Sequence, residues 1–273
     1  MKTIGRNDIA NIESVNQITI PDGVICIEEE AFRDCEKLES IIIPDSVTMI
    51  EEGAFYNCAK LVSVRMSNSV LSIGEMAFSE TALSSVSLPQ SVKEIGLRAF
   101  DCPVQVEESN EYYSVVDGVL FNKEKTELVS FPCKHGQTSY AIPDHVKKIG
   151  AGAFYGCHLT SLVIPESVFD IGEQAFYEME MPGFLDIPPS VVRIGEDAFI
   201  HPIDVYHYVE DWFIDDYAII IHTKVGDTNC DRSTFGNRLI YVPEQFYDEW
   251  NRWAGKTLFK TDGTYVNRIR CIP

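Results

Sequence analysis

An Ala-Phe pair recurs along the chain at a nearly constant spacing. Successive pairs are separated by 22 or 23 residues, except for one step of 54 residues. A repeat of this length cannot bury its own apolar residues, so such a chain folds as a solenoid in which each repeat, or rung, packs on the next. The seven pairs are Ala31-Phe32, Ala54-Phe55, Ala77-Phe78, Ala99-Phe100, Ala153-Phe154, Ala175-Phe176 and Ala198-Phe199.

Three further apolar columns keep a fixed distance from the Ala-Phe pair. An anchor residue lies eleven positions before each alanine, a valine follows four positions after the anchor, and an isoleucine follows seven positions after it. Pro comes directly after every anchor except Met66. These columns predict a continuous core built from residues at the same place in each rung. The anchors are Ile20, Ile43, Met66, Leu88, Ile142, Ile164 and Ile187; the valines are Val24, Val47, Val70, Val92, Val146, Val168 and Val191; the isoleucines are Ile27, Ile50, Ile73, Ile95, Ile149, Ile171 and Ile194.

The pattern within one rung predicts a strand, a bend and a short helical turn. Residues 38–44 alternate apolar and other residues and end on Pro44, which is typical of a short strand with one buried face. Residues 47–50 then turn the chain, and residues 51–55 form one helical turn that drives the Phe inward. Gly follows the isoleucine column in five rungs, whereas Glu28 and Glu51 replace it in two. A small residue is therefore preferred there, and a positive φ is not required.

The unit Ile43–Leu61, which reads Ile-Pro-x-Ser-Val-x-x-Ile with Ala-Phe, Cys and Leu at fixed places behind it, resembles the treponemal-type or BspA-like leucine-rich repeat. The resemblance covers roughly residues 1–206. It implies an α/β fold, a right-handed β/α superhelix whose parallel strands line the concave face, with short helical turns on the other side. It also implies cell-surface adhesion or protein binding rather than catalysis.

The domain organisation follows from where the period is kept and where it is interrupted. We expect a leucine-rich repeat solenoid over 1–206, beginning with a degenerate half-rung at 1–15 in which Ile4 falls on the isoleucine column. The long step contains about 32 extra residues, at about 107–138, where Asp117-Gly118 between β-formers predicts a hairpin. This insert is interpreted as a β-meander that continues the ladder.

The period fades over residues 207–273, which are interpreted as C-terminal degenerate repeats and a capping helix. Residues 218–221 and 239–243 favour two strands. Residues 243–255 begin with Pro, carry early acids and end on Gly, which is typical of a helix. Its two tryptophans either cover the last rung or expose an aromatic contact for a ligand. They are Trp250 and Trp253.

A binding surface is expected at the strand positions that point away from the core. These side chains are small and mixed, and they form no aromatic stripe of the kind that would stack on sugar rings, so protein binding is favoured over glycan binding. The short side chains suit a flat, extended partner, although the same row could be inert. The outward positions are Thr19, Ile42, Arg65, Ser87, Gln105, Ala141, Val163, Asp186 and Asp204.

Charge and hydropathy restrict the partners and the location. The formal net charge is −20, which repels nucleic acids and anionic membranes. No stretch approaches 18 consecutive apolar residues, and residues 1–6 lack the apolar core of a signal peptide, so no transmembrane segment is predicted. The chain as written is expected to be cytoplasmic. If it is a piece of a longer protein, the cell surface or secretion is expected instead.

No motif predicts catalysis, a metal site or a cofactor. Three of the eight cysteines lie three residues after the Phe of a rung and a fourth lies two after, which is typical of a core filler; Cys35 and Cys58 alone occupy adjacent rungs, so a disulfide ladder amounts to one bond at most. The His and acid positions near the C-terminal region match no ligand spacing. The core-filling cysteines are Cys35, Cys58, Cys102 and Cys157; the residues weighed as metal ligands are His201, Asp204, His207, Asp211, Asp215, His222 and Cys230.

Two function hypotheses remain, from different classes. The first is a non-catalytic protein–protein interaction module that uses the concave strand face and the C-terminal region. The alternative is an adhesin-like or glycan-binding protein on the surface of a host-associated microbe. Both rest on analogy of fold together with the character of the outward positions.

Overall fold

A computed structural model of the chain describes residues 2–9, 14–133, 136–181, 183–200, 217–222, 240–242, 244–245, 248–250, 252 and 269–271. The chain forms two compact units. Unit 1 comprises Met1–Lys125 and Ser130–His135, and unit 2 comprises Thr126–Val129 and Gly136–Pro273.

Each rung contributes two strands rather than one. The first, which we call the front strand, lies on the side of the rung where the anchor residue is found. The second, which we call the short strand, has two residues and ends on the isoleucine column. The front strands are Gln17–Thr19, Ser40–Ile42, Ser63–Arg65, Val86–Leu88, Val104–Val106, Ser139–Ala141, Ser161–Val163 and Gly183–Ile187. The short strands are Thr3–Ile4, Cys26–Ile27, Met49–Ile50, Ser72–Ile73, Glu94–Ile95, Lys148–Ile149, Asp170–Ile171 and Arg193–Ile194.

Neighbouring rungs pair in parallel through both series of strands. In unit 1, the short strands from Thr3–Ile4 to Glu94–Ile95 form one sheet of five strands. In unit 2, Lys148–Ile149, Asp170–Ile171 and Arg193–Ile194 pair in the same way. The parallel ladder and the repeat family's solenoid are therefore confirmed. The short strand was not predicted, because sequence analysis treated residues 47–50 as a bend.

The expected helical turns are not confirmed; each segment around the Ala-Phe pair is a series of tight turns. Backbone donors there alternate between two directions. The Ala54 N–H donates to the Glu51 carbonyl within its own rung (3.3 Å), whereas the next N–H, of Phe55, donates to the Ala77 carbonyl of the following rung (2.8 Å). Because every second donor leaves the rung, the i→i−4 bonds that define an α-helix cannot form. Within the described part, α-helix occurs at 244–245, 248–250 and 252, and a 3₁₀ helix spans Arg6–Asp8.

The core consists mainly of the predicted columns, although the anchor Met66 and the column residue Ile95 are half-buried. The valine column is 0–1% exposed in both units, and the Ala-Phe pairs are buried throughout. In unit 1 the rings of Phe32, Phe55, Phe78 and Phe100 stack with centroid separations of 4.9, 5.0 and 5.4 Å. In unit 2 the rings of the three corresponding phenylalanines stack at 5.5 and 5.2 Å. Side chains of one rung are therefore covered by those of the next, as the fixed spacing predicts. The unit 2 rings are Phe154, Phe176 and Phe199.

Two of the glycines after the isoleucine column, Gly96 and Gly195, lie against the backbone of the preceding rung. A Cβ added at Gly195 would lie 2.4 Å from the Glu173 backbone nitrogen of the preceding rung, and one at Gly96 would lie 2.4 Å from the Glu75 nitrogen. Neither glycine has a positive φ. The expectation that a positive φ is not required is therefore confirmed. A small residue is nevertheless more than preferred at these two positions, because the backbones of the two rungs are in contact and leave no room for a Cβ.

The first half-rung and the insert each contribute strands to the sheets. Thr3–Ile4 pairs with Cys26–Ile27 in the register that sets Ile4 beside Ile27. In the insert, Tyr113–Val116 and Val119–Asn122 form an antiparallel hairpin. Its turn residues Asp117 and Gly118 both have positive φ, which the Asp-Gly sequence tolerates. The strand Glu127–Ser130 follows and pairs with Lys148–Ile149.

A sheet of four parallel strands closes the described part of unit 2. It runs in the order Gly183–Ile187, Tyr217–Ile221, Ile240–Val242 and Ile269–Cys271. Sequence analysis predicted the second and third of these strands and missed the last. Since each strand pairs with the next in parallel, the solenoid mode of stacking continues beyond the last Ala-Phe pair.

Candidate functional site

The outward residues of the front strands form a row in each unit, which we call the front row. In unit 1 the register pairs Thr19 with Ile42 and Ile42 with Arg65, and it pairs Ser87 with Gln105. Alternate residues of a strand point to opposite faces, so these side chains face away from the core. Thr19, Arg65, Ser87 and Gln105 are exposed and Ile42 is half-buried. Sequence reasoning therefore identified which residues lie side by side on this surface.

The side chains of the unit 1 front row point to solvent rather than to other described side chains. Among the described residues, none of its five side chains makes a hydrogen bond or an ion pair. The row in unit 2 begins with Ala141 paired to Val163, and Val163 is 56% exposed. Asp186 is also exposed and lies on Gly183–Ile187. Asp204, the last expected member of the row, lies outside the described residues.

A groove in unit 2 brings together residues that are far apart in sequence. It has a volume of about 640 Å³ and contains two members of the front row, Val163 and Asp186. Its walls are mainly apolar, with two carboxylates, an imidazole and an amide at its surface. The described lining is Leu162, Val163, Ile164, Glu166, Asp186, Pro188, Pro189, His222 and Gln245.

A carboxylate–imidazole pair marks one wall of this groove. Asp186 Oδ1 lies 2.7 Å from His222 Nε2. The two residues meet because Gly183–Ile187 and Tyr217–Ile221 are parallel neighbours in the sheet, and His222 directly follows the second strand. The Asp186 side chain remains 66% exposed, so the pair is open to a ligand.

An aromatic pair of one exposed ring and one half-buried ring, on the strand that carries Asp186 and on another strand of its sheet, was missed by sequence analysis. Phe184 is 55% exposed, and its ring meets that of Tyr241 edge-on with a centroid separation of 5.5 Å. Phe184 lies two residues before Asp186 on the same strand, so both side chains leave the same face. The alternation of residues 183–187 could have predicted that Phe184 points outward together with Asp186. Sequence analysis considered only one outward residue per strand. One exposed ring is not the aromatic stripe that sequence analysis looked for, but it adds an aromatic contact that the outward row did not include.

The proposed aromatic contact from the C-terminal helix is not supported for its first tryptophan. Trp250 is completely buried, so its ring is not available to a ligand and instead serves the core. Trp253 lies outside the described residues. The aromatic surface in unit 2 is thus carried by Phe184 and Tyr241 rather than by Trp250.

The cysteines differ in state. Cys26, Cys35, Cys58 and Cys102 are buried thiols that form no disulfide, and this burial was expected for all of them except Cys26. Burial, followed by a hydrogen bond with Glu51, raises the pKa of the Cys26 thiol to about 12. A hydrogen bond with Cys35, together with burial, raises the pKa of Cys58 as well. By contrast, Cys133 and Cys157 are disulfide-bonded, so the core-filler prediction for Cys157 is incomplete.

The described residues provide neither a metal-binding cluster nor a membrane-spanning helix. No group of three or more His, Cys, Asp and Glu side chains is arranged to hold a metal ion there. Of the residues weighed as metal ligands, His222 alone is described, and it pairs with Asp186; the others lie outside the described ranges. In the same part of the chain, no helix has the length and apolar character needed to cross a membrane.

Comparison with known proteins gives one family and several similar folds. Residues 2–115 and 128–206 match a family model described as a BspA type leucine rich repeat region, in six copies. No curated protein matches the chain.

Solved structures of bacterial leucine-rich repeat proteins share the fold. A leucine-rich repeat protein from Eubacterium ventriosum is 23% identical, with a TM-score of 0.60, over 78% of this chain and 68% of that one. The pneumococcal vaccine antigen PcpA is 23% identical, with a TM-score of 0.55, over 96% and 78%. A leucine rich cell surface protein from Faecalibacterium prausnitzii is 21% identical, with a TM-score of 0.50, over 95% and 79%. At these identities the likeness concerns the fold.

Proposed function

Since the chain belongs to the BspA-type leucine-rich repeat family, we propose that it is a non-catalytic protein–protein interaction module that binds through the front row and the C-terminal part of unit 2. One observation carries the proposal: the parallel register sets unpartnered, exposed side chains of successive rungs side by side. Neighbouring strands of a sheet lie about 4.8 Å apart, so such a row forms a flat surface that suits an extended partner.

The energetic division of the rung supports this assignment. Inward positions are held by packing, because each large buried side chain contributes roughly 1.5–3 kcal/mol. Outward positions contribute little to stability, so their chemistry is free to serve binding. Binding energy would come from a few of them, and the groove of unit 2 supplies a concave area beside them.

We further propose that the protein acts at the cell surface or as a secreted protein rather than in the cytoplasm. Cys133 and Cys157 are disulfide-bonded, and disulfides persist mainly in oxidising compartments. The structurally similar protein from Faecalibacterium prausnitzii is a cell surface protein. An adhesin-like role is compatible with both observations.

Glycan binding is the second candidate function, and the exposed ring of Phe184 is the observation that favours it. An aromatic face beside a carboxylate can stack on a sugar ring while the carboxylate accepts hydroxyl hydrogen bonds. One exposed ring is less than the stripe of rings expected for a long glycan. Signal on a glycan array that disappears with Phe184→Ala would favour this function over protein binding.

Site-specific photocrosslinking tests the proposed interaction. A photoreactive residue is placed at Ser87 or Gln105 of the front row and, as a control, at Lys37, which is exposed in a turn. In intact producing cells, both front-row positions should give the same discrete protein adduct, identified by mass spectrometry, and Lys37 should give none. Adducts that do not depend on position, or none from the front row, would contradict the proposal.

A further inference from the structure

We propose that the groove of unit 2 binds an arginine side chain of an extended peptide, held by Asp186 and the ring of Phe184. The inference rests on the proposed protein-binding function and deepens it by naming the chemistry that the groove selects. The groove supplies an accessible carboxylate and apolar walls, and the exposed ring of Phe184 leaves the same face of the strand two residues before Asp186.

Asp186 and Phe184 are arranged as a two-part receptor for a guanidinium group. Residues two apart on a strand lie about 7 Å from each other on one face, so a planar cation can touch both side chains. Arginine is suited to this arrangement because its guanidinium stacks on aromatic rings and donates hydrogen bonds in a fixed fork to carboxylates. Asp186 uses Oδ1 for His222, and among the described residues its other oxygen has no hydrogen bond.

The charge of the groove favours a cation over an anion or a neutral ligand. Glu166 and Asp186 both line it, and its described lining contains no lysine or arginine. Glu166 makes no ion pair or hydrogen bond with any described residue. The whole chain carries −20, although salt screens that field beyond about 8 Å, so the two local carboxylates dominate recognition.

The apolar walls complete the site for a long side chain. Val163 and the consecutive Pro188 and Pro189 line the groove, where they can cover the three methylenes that carry the guanidinium. A volume of about 640 Å³ accommodates one or two side chains and not a folded domain. An extended segment that crosses the front row can therefore place one arginine in the groove.

Fluorescence anisotropy with two matched peptides tests the proposal on the full chain. The probe is a labelled peptide of alternating alanine and arginine, and its twin carries citrulline, which has the same shape without the charge. In about 0.15 M salt, the arginine peptide should bind at least about tenfold more tightly than the citrulline peptide, as expected for a charge-assisted hydrogen bond.

Three variants distinguish binding in the groove from attraction to the net negative charge of the protein. Asp186→Asn should weaken binding of the arginine peptide about tenfold, and Phe184→Ala about threefold. The matched control is Glu173→Gln, which removes one charge from an exposed turn of the same unit and should change the affinity by less than about twofold. Unchanged far-ultraviolet circular dichroism and urea midpoints will establish that the variants fold, since both Asp186 and Phe184 are exposed.

Each alternative result overturns the assignment. Equal losses of affinity in Glu173→Gln and Asp186→Asn would mean that the peptide is attracted by net charge alone and not by the groove. Equal affinity for the citrulline peptide would exclude guanidinium recognition. Glycan binding that depends on Phe184, without arginine binding, would make the groove a sugar site. The crosslinks from Ser87 and Gln105 in unit 1 report on the broader function independently, so failure of one proposal is distinguishable from failure of the other.

Discussion

Units 1 and 2 have the same core and different surfaces. Four stacked phenylalanine rings run through unit 1 and three through unit 2, with nearly equal spacings. The front row of unit 1 is mostly polar, and the exposed apolar residues of unit 1, Met49, Val62 and Leu71, lie outside its front strands. Unit 2 instead exposes Val163 and Phe184 on its front strands. Packing restricts which residues can occupy the inward columns, whereas substitutions at outward positions change the stability of the fold little. The two units therefore differ on the surface that a partner can contact. The exposed apolar residues of unit 2 are Val163, Phe169, Phe184 and Val192.

The shared core is tested by the largest expected effect. Phe55→Ala in unit 1 and Phe176→Ala in unit 2 should each lower the free energy of unfolding by about 3–5 kcal/mol, because each ring is fully buried between two others. Urea denaturation of the full chain measures the loss. Phe184→Ala is the control and should cost less than about 0.5 kcal/mol. A small loss of unfolding free energy for either variant would show that the two cores are not equivalent.

Close rung-to-rung contact is tested by a pair of glycines within unit 2. Gly195→Ala should cost about 3 kcal/mol, because the new methyl group meets the backbone of the preceding rung. Gly156→Ala should cost about 1 kcal/mol, since Gly156 has a positive φ but open space around it. Differential scanning calorimetry or urea titration ranks the two. The reverse order would show that backbone conformation, not contact between rungs, dominates.

Alkaline pH should weaken unit 1 through Cys26. Its folded pKa of about 12 exceeds the ordinary thiol value of 9.0, so the protonated thiol stabilises the fold below pH 9 and that contribution is lost as the pH rises toward 12. The loss is at most about 1.4 kcal/mol per pH unit. The urea midpoint of Cys26→Ala should therefore fall less steeply between pH 9 and 11 than that of the original chain. Parallel curves for the two proteins would contradict the prediction.

The smallest effects are expected at the outward apolar residues of unit 2. Phe169→Ser and Val192→Ser should each change the free energy of unfolding by less than about 0.5 kcal/mol. Phe169 also lies 6.0 Å from the Arg193 guanidinium, an exposed contact that adds little. Thermal denaturation checks both variants. A loss comparable with that of a core phenylalanine would mean that these side chains belong to the fold and not to a binding surface.

The sequence predicted most of the core columns and the outward positions of the described front strands, but it misjudged the turns. The fixed spacing of the repeat placed Val47 in the core, and alternation along a strand placed Ser87 outside it. The short strand Met49–Ile50 and the missing helix have one cause. In both places backbone groups bond to the next rung, and no pattern within a single rung reports that partner.

The groove shows the same limit for function. Val163 and Asp186 were predicted to face outward, whereas their meeting with His222 and Gln245 depends on strand pairing across a long stretch of chain. Trp250 shows the reverse case, since its helix was expected and its burial could be decided only by what packs against it.

The amino-acid sequence by itself determined the period, the buried columns, the family and the outward row of this protein. The tertiary structure alone decided where the turn donors bond, why Gly195 has room for no side chain, and which outward residues converge on one groove. The physical reason is range: burial of a side chain follows from spacing within a rung, whereas hydrogen bonds between rungs and the shape of a groove depend on neighbours distant in sequence.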